Sequence, residues 1–270
     1  MKRHGRAPVA SLSEPTTSAI NDRVMTPAED QSLLSLLPRP AALPAPRPAP
    51  EHFPLLYRLI RAGCTPLLRS WFDLEVEGAE HLPASGPFIL AANHHNYLDG
   101  VVLGVALPRP VSFLVMPRVY RASPFHPAFH RHIRSIPINL RRPDPGAIKR
   151  ALRVLEDGGV VGIFPEGPFS REGQLVPGQP GVATIALRSG APVVPAAIRG
   201  TFEALAGQRF HVPRRHPLAV RFGPPLHVDS PRLAHATRGD REEITRRIMG
   251  QIASLLDGRA NRMSEARAWR

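Results

Sequence analysis

Residues 88–100 read FILAANHHNYLDG, an apolar run followed at once by a polar cluster. The apolar half, 88–92, shows no alternation with polar residues, which is typical of a strand buried on both faces of a parallel sheet. The polar half places His94 and Asp99 just beyond the carboxyl end of that strand. Sites in open α/β sheets gather at this edge. The stretch therefore predicts both a central strand and a candidate site.

Strand and helix patterns alternate on both sides of this stretch. Further strands are predicted at 74–77, 111–116, 160–164, 193–198 and 218–222, and helices at 144–157, 180–189 and 240–256. Asp144 and Pro145 suit the start of a helix, and Gly158 and Gly190 suit the ends of two helices. The alternation predicts an α/β fold with a mixed, largely parallel sheet flanked by helices.

The N-terminal part of the chain differs in composition. Nine of the 32 prolines fall within residues 1–50, which predicts a disordered tail rich in proline and alanine. Residues 51–72 carry apolar side chains near helical spacing, interrupted by Gly63 and Pro66, and predict an amphipathic helical pair. This pair either covers the core or lies on an anionic bilayer. We expect the main domain over 73–257 and a C-terminal tail over 258–270.

The net charge of +13 comes almost wholly from arginine. Such a charge favours nucleic acid, anionic lipid or phosphorylated small molecules as partners. A basic nucleic-acid-binding protein needs clustered arginines with stacking aromatics, but here the arginines are scattered and aromatics make up 6%. Cys64 is the single cysteine, which excludes a disulfide framework and a cysteine-based zinc site. With no apolar run of membrane-spanning or signal-peptide type, we expect a cytoplasmic protein whose membrane attachment is peripheral.

His94 and Asp99 suggest a general base. On a regular helix their spacing of five would set them about 140° apart, so their pairing requires a turn, which the strand end supplies. A carboxylate fixes the tautomer of its histidine and stabilises the imidazolium that forms when a proton is taken up. Two alternatives are a metal site with His95 and a purely structural histidine. The metal site is disfavoured because adjacent side chains diverge and no third-ligand motif follows.

Residues 164–173 read FPEGPFSREG and follow a second predicted strand. Glycines, a hydroxyl and an arginine at a strand end suit the binding of phosphate or of a carbonyl oxygen. With the first cluster, this stretch resembles the glycerolipid acyltransferase family, typified by 1-acylglycerol-3-phosphate acyltransferase. Asn93, His94 and Asp99 match the first motif of that family, Phe164 to Gly167 match its Phe-Pro-Glu-Gly motif, and Val193 to Ile198 resemble its Val-Pro strand.

The resemblance implies an acyltransferase domain over 73–257 that acts in phospholipid biosynthesis. The donor would be acyl-CoA or acyl carrier protein, and the acceptor a hydroxyl of a lysophospholipid-like molecule. His94 would be the base and Asp99 its partner. The acceptor pocket would be shaped by Asn93, Arg141, Glu166, Gly167, Ser170 and Arg171. No cofactor or metal is expected, and the protein would sit on the inner face of the cell membrane, bound to its anionic surface.

One position departs from the family pattern in a way that bears on the acceptor. Phe169 stands where the family commonly has an arginine. A lyso-aminolipid, a glycolipid or another alcohol is therefore an alternative acceptor. A catalytically silent, membrane-binding member of the family is disfavoured because His94 and Asp99 are both present.

Overall fold

A computed structural model of the chain describes residues 55–120, 126–139, 143–170, 172–205, 213–228 and 236–267. The chain divides into two units, Met1–Leu37 and Pro38–Arg270, and every described residue lies in the second. The tail predicted over 1–50 lies outside the described residues.

Strands and helices alternate along most of the described chain. The strands are β1 (Glu75–Glu77), β2 (Phe88–Ala92), β3 (Val111–Val115), β4 (Ile136–Pro137), β5 (Val160–Ile163), β6 (Val193–Arg199) and β7 (Ala219–Phe222). The helices are α1 (Leu55–Ser70), α2 (Leu98–Ala106), α3 (Pro117–Tyr120), α4 (His126–His132), α5 (Pro145–Glu156), α6 (Gly181–Ser189), α7 (Thr201–Ala204) and α8 (Arg238–Arg267). A 3-10 turn, Ala79–His81, follows β1.

The strands form one sheet in the order β1-β7-β6-β2-β5-β3-β4. From β6 to β4 all neighbours pair in parallel, whereas β7 runs antiparallel to β6 and parallel to β1. The mixed, largely parallel sheet predicted from the sequence is thus confirmed. Because β6, β2, β5 and β3 run in one direction, the residues that follow them meet at one edge of the sheet.

Apolar layers cover both faces of the sheet. On one face α1 and α2 pack against a cluster that includes Leu90 and Val220. On the other face α5, α6 and α8 pack against a cluster that includes Ile89 and Val161. All five residues of β2 are buried, as expected for a strand between two helical layers.

Two predicted helix boundaries are confirmed by their caps. The Asp144 side chain accepts a hydrogen bond from the Ala147 amide, and Pro145 occupies the first turn of α5. Gly190 ends α6 with φ 65°, in the left-handed region that glycine adopts without strain.

Two other predictions differ from the structure. The predicted helical pair is one helix, α1, which continues past Gly63 and through Pro66. Tyr57 and Leu68 are buried on either side of these residues, so tertiary packing holds both halves in one helix despite the proline. The last helix, α8, runs on to Arg267, where a tail was predicted from 258. None of the helices in the described part of the chain is long and apolar enough to cross a bilayer.

Candidate active site

The turn between β2 and α2 folds around one carboxylate. Asp99 lies in the first turn of α2 and is fully buried. Its Oδ2 accepts hydrogen bonds from His94 Nδ1 at 2.9 Å, from the His95 amide at 2.6 Å and from the Asn96 amide at 2.8 Å. Asn96 Oδ1 in turn accepts from the Leu98 amide at the start of the helix. The strand end therefore supplies the turn that the spacing of His94 and Asp99 requires.

The bond to Asp99 fixes the state of the His94 ring. A carboxylate only accepts hydrogen bonds, so the neutral imidazole carries its proton on Nδ1 and presents a lone pair on Nε2. The His94 side chain keeps 11% of its surface exposed, and it lines a cavity. Nε2 can therefore take a proton from a molecule bound there, while Asp99 supports the charge that forms.

Aromatic rings enclose the imidazole on its other sides. Phe164, just after β5, stacks on His94 with ring centroids 3.7 Å apart and an angle of 5° between the planes. Phe169 meets the same imidazole edge-on at 4.4 Å, and Tyr97 packs against Phe169 at 4.7 Å. Two of these rings, Phe164 and Phe169, come from the second sequence cluster, so the two clusters do meet at one site.

Polar groups of the loop after β5 turn toward the protein backbone. Glu166 Oε1 accepts from the His94 amide at 2.7 Å, and Oε2 accepts from the Val176 amide at 2.9 Å. Ser170 donates its amide to the His94 carbonyl and its hydroxyl to the Gln174 carbonyl. Burial raises the pKa of the Glu166 carboxyl, and the two amide bonds only partly oppose that effect. These contacts hold the backbone of His94, whereas Asp99 holds its ring.

A second polar group ties the turn to the end of β6. Asn93 Nδ2 donates to the Ile198 carbonyl at 2.9 Å, and Asn93 Oδ1 accepts from the Ile198 amide at 2.7 Å. His95 Nδ1 lies 3.1 Å from Thr201 Oγ1, and Asn96 Nδ2 donates to the Thr201 carbonyl. Burial lowers the pKa of His95, which favours a neutral ring there. The adjacent histidines thus differ, since His94 borders the cavity and His95 anchors the turn.

The cavity beside His94 has a volume of about 270 Å³. Its walls are mostly aliphatic and aromatic, with contributions from α1, α2, β3, α4 and the loop after β5. Examples from these walls are Ile60, Val101, Leu114, Phe129 and Ile133. An apolar chain with a reactive group at the His94 end would fit these surroundings.

The predicted site residues fall into three groups. His94 and Asp99 are brought together, and Gly167 lines the cavity. Asn93, Glu166 and Ser170 use their side chains on the protein backbone, which favours positioning roles over the predicted contacts with substrate. Arg141 and Arg171 lie outside the described residues.

Of the aromatic side chains around His94, the sequence pattern singles out only Phe169 for a role of its own. Phe164 carries a signal as well, because it follows β5 two residues after Gly162 and therefore points to the same face of the sheet. Tyr97 and Thr201 gave no signal of their own, because their contacts depend on which strands become neighbours. Among the described residues no group of three or more histidine, cysteine, aspartate or glutamate side chains could hold a metal ion.

Comparison with known proteins shows which family the chain resembles. Residues 73–199 match the model of the acyltransferase family. This part of the chain is therefore similar to an acyltransferase domain. The matched segment contains His94, Asp99 and the loop after β5, whereas Thr201 and the α1 residues that line the cavity lie outside it.

Several curated relatives are similar in sequence to part of this chain. A 1-acyl-sn-glycerol-3-phosphate acyltransferase of Bacillus subtilis is 34% identical over 128 residues, which are 47% of this chain and 63% of that protein. A protein of the same name from Limnanthes douglasii is 29% identical over 170 residues, 58% of this chain and 55% of that protein. An uncharacterised protein of Mycobacterium tuberculosis is 32% identical over 164 residues, 51% of this chain and 41% of that protein. The chain thus spans less than two thirds of the length of these relatives.

A solved structure shows the same fold. The 1-acyl-sn-glycerophosphate acyltransferase PlsC from Thermotoga maritima superposes with a TM-score of 0.58 and 22% identity, covering 74% of this chain and 80% of that one. At this identity the similarity concerns the fold alone.

Proposed function

We propose that this acyltransferase domain moves an acyl chain from a thioester donor, acyl-CoA or acyl carrier protein, to a hydroxyl of a lysophospholipid-like acceptor in phospholipid biosynthesis. The observation that carries the proposal is the His94–Asp99 pair at the wall of an apolar cavity. The pair supplies a base, and the cavity suits an acyl chain. The names of the Bacillus and Limnanthes relatives support the same reaction and acceptor class.

The reaction needs no covalent enzyme intermediate. His94 Nε2 takes the proton of the acceptor hydroxyl as the oxygen attacks the thioester carbonyl carbon. The tetrahedral intermediate then collapses, the carbon–sulfur bond breaks, and the proton on Nε2 passes to the leaving thiolate. One ester and one thiol are formed, and His94 returns to its neutral state. General base catalysis of this kind contributes about 10²–10⁴-fold.

Asp99 and Glu166 support different parts of His94. Asp99 bonds the ring nitrogen that stays away from substrate, so it sets the tautomer and stabilises the imidazolium during the attack. Glu166 accepts the backbone amide of His94 and leaves the ring untouched. We therefore assign orientation of the ring to Asp99 and placement of the backbone to Glu166.

A different acceptor is supported by one observation. Phe169 packs edge-on against His94 and also against Tyr97, and it lines the cavity. A phenyl ring offers apolar area and no hydrogen-bond donor, so a phosphate next to the attacking hydroxyl would gain nothing from it. A lyso-aminolipid, a glycolipid or another alcohol without a phosphate at that point would suit that wall of the pocket.

Membrane contact is supported by α1. Leu55, Leu59, Leu67 and Trp71, in α1 or just after it, are 53–65% exposed, while Tyr57 on the same helix is buried. Exposed apolar side chains of this size on one helix favour contact with a lipid surface. We propose that this helix rests on the anionic inner face of the cell membrane and brings lipid toward the cavity that its inner side lines.

The test is an acyl-transfer assay with purified protein. Acyl-CoA and acyl carrier protein are each offered with lysophosphatidate and with an uncharged lyso-lipid, and products are identified by mass spectrometry. Transfer that is lost in His94→Ala would support the proposal. No transfer from either donor to any acceptor, or full inhibition by a metal chelator, would contradict it.

A further inference from the structure

Three aromatic rings lie in a row across the carboxyl edge of the sheet. The His94 imidazole stacks on Phe164 at 3.7 Å, and Phe164 lies nearly parallel to Phe113 at 5.7 Å with 7° between the planes. The three residues belong to or follow β2, β5 and β3, which are consecutive in the sheet. The row thus follows the order of the strands, although the residues are far apart in the sequence.

The alternation of side chains explains why these rings share one face. Leu90 pairs with Gly162 across β2 and β5, and Gly162 pairs with Phe113 across β5 and β3. His94 lies four residues beyond Leu90, and Phe164 lies two beyond Gly162. Since side chains alternate with period two, the rings emerge on the same side as those paired residues.

Gly162 makes room for the outermost ring. A Cβ atom at this position would lie 2.4 Å from Cδ1 of Phe113 and 2.7 Å from Cγ1 of Val111, closer than such atoms ever approach. Phe113 therefore leans across β5 at a point where any other residue would block it. The glycine in β5 is a condition for the row of rings.

We infer that Phe164, backed by Phe113, is a positioning residue for the catalytic base of the proposed acyl transfer. The stacked ring prevents the imidazole from rotating about its Cβ–Cγ bond, because rotation would drive its edge into the Phe164 face. It thereby keeps Nδ1 on Asp99 and directs Nε2 to one place. When the base takes up its proton, the imidazolium lies within cation–π distance of the same face and is stabilised by it.

The contacts on the other side of the imidazole agree with this role. Phe169 meets His94 edge-on at an angle of 67°, so it contacts the imidazole without stacking on it. Asp99 holds the ring at one atom only. A single hydrogen bond leaves the tilt of a ring free, and the stack restricts that tilt. Phe164 thus adds a restraint that the His94–Asp99 pair lacks.

The kinetic test compares Phe164→Leu with Phe129→Leu in the full chain. Both variants replace a phenyl ring of the same cavity with a branched alkyl group, but Phe129 makes its ring contact with His130 rather than with His94. We expect Phe164→Leu to lower kcat about tenfold, in line with the loss of a partly desolvated cation–π contact. Phe129→Leu should act mainly on KM for the acyl donor. Phe164→Tyr retains the ring face and should restore kcat to near the wild-type value.

A spectroscopic test does not depend on turnover. In protein labelled with ¹³C at histidine Cε1, the His94 resonance is assigned by its loss in His94→Gln. A ring stacked on phenyl is shielded, so the resonance should lie upfield in wild type and in Phe164→Tyr. It should move downfield in Phe164→Leu and stay in place in Phe129→Leu. Phe113→Leu, a milder change two rings away, should give a smaller downfield shift and about a threefold loss of kcat.

The outcomes separate this inference from the proposed reaction. If wild-type protein transfers no acyl chain, the proposed function fails, and the resonance still reports whether Phe164 holds the ring. The inference is overturned if the His94 resonance is unchanged in Phe164→Leu, or if kcat falls equally in Phe129→Leu. It is also overturned if the resonance moves and kcat stays within about twofold of wild type.

Discussion

At the His94 side of the cavity most polar side chains are buried and hydrogen-bonded, whereas along α1 large apolar side chains are exposed to solvent. Asp99 is fully buried and accepts three hydrogen bonds, while Leu55 on α1 is 65% exposed. The two regions border the same cavity through other residues, which are His94 on one side and Tyr57 and Ile60 of α1 on the other. The contrast indicates that the two regions have different roles. The fixed wall, which contains His94 and Asp99, carries out the chemistry, and the exposed wall, which is α1, is available to lipid.

The largest expected effect comes from removing the base in the fixed wall. We expect His94→Ala to lower acyl transfer by about 10²–10⁴-fold, because it removes the ring nitrogen that takes the proton in the proposed reaction. Asp99→Asn should lose most of the activity, since an amide nitrogen cannot accept the bonds that Oδ2 now accepts. Initial rates of acyl transfer by the two purified variants measure both losses.

His95→Ala is the matched control for that experiment. His95 is adjacent in sequence but bonds to Thr201 rather than bordering the cavity, so its loss should cost less activity than that of His94. Circular dichroism melting checks that each variant is folded. A His94→Ala protein as active as wild type would show that the fixed wall does not supply the base.

The second effect concerns the tie between the fixed wall and β6. Asn93→Ala should lower the free energy of unfolding by about 1–3 kcal/mol, because it leaves the buried amide and carbonyl of Ile198 without partners. Urea unfolding measures the change. The KM for the acceptor should stay near the wild-type value. A raised KM for the acceptor with an unchanged free energy of unfolding would instead support the prediction from the sequence that Asn93 contacts the substrate.

Parts of the fixed wall were predictable from local pattern. The apolar run of β2 and the turn that joins His94 to Asp99 both follow from a short stretch of sequence. The inward direction of Glu166 and Ser170 does not, because residue type alone does not tell whether an oxygen faces a cavity or a neighbouring amide. Phe113 joins the site only through the strand order β2-β5-β3, which depends on pairing between distant segments.

The prediction for α1 erred for a related reason. Gly63 and Pro66 are local signals that a helix ends, and they led to the expectation of two helices. Burial of Tyr57 and Leu68 is a tertiary contact that the local pattern does not contain. Packing decided the outcome, as it commonly does for helices of this length.

The third effect concerns Phe169, which packs against His94 in the fixed wall. Phe169→Arg should shift the preference of the enzyme toward lysophosphatidate by about tenfold, since a charge-assisted bond to phosphate is worth roughly 1.5–3 kcal/mol. A competition assay with one donor and equal amounts of lysophosphatidate and an uncharged lyso-lipid measures the ratio. A wild type that already prefers lysophosphatidate, with a ratio unchanged by the substitution, would show that Phe169 does not set specificity.

A smaller effect concerns pH. Because burial raises the pKa of Glu166 above its usual range, the folded state binds this proton more tightly than the unfolded state does. The contribution of Glu166 to the free energy of unfolding is fully present at a pH below the usual glutamate pKa. It is lost as the pH rises through the raised pKa of the folded state. In Glu166→Gln the free energy of unfolding should depend less on pH in that range. Urea unfolding of both proteins at a series of pH values measures it, and two parallel profiles would contradict the assignment.

The smallest expected effect tests the exposed wall. Leu59→Gln should weaken binding to vesicles that contain an anionic phospholipid by about fivefold, because a half-buried leucine contributes roughly 1 kcal/mol at such a surface. Val76→Gln is the control, since Val76 is also apolar and 39% exposed but lies on β1, outside α1. High salt should release part of the bound protein, as each basic residue near the surface contributes about 1 kcal/mol. Binding that resists salt and alkaline carbonate, or that falls equally in both variants, would show that α1 is not the lipid-facing wall.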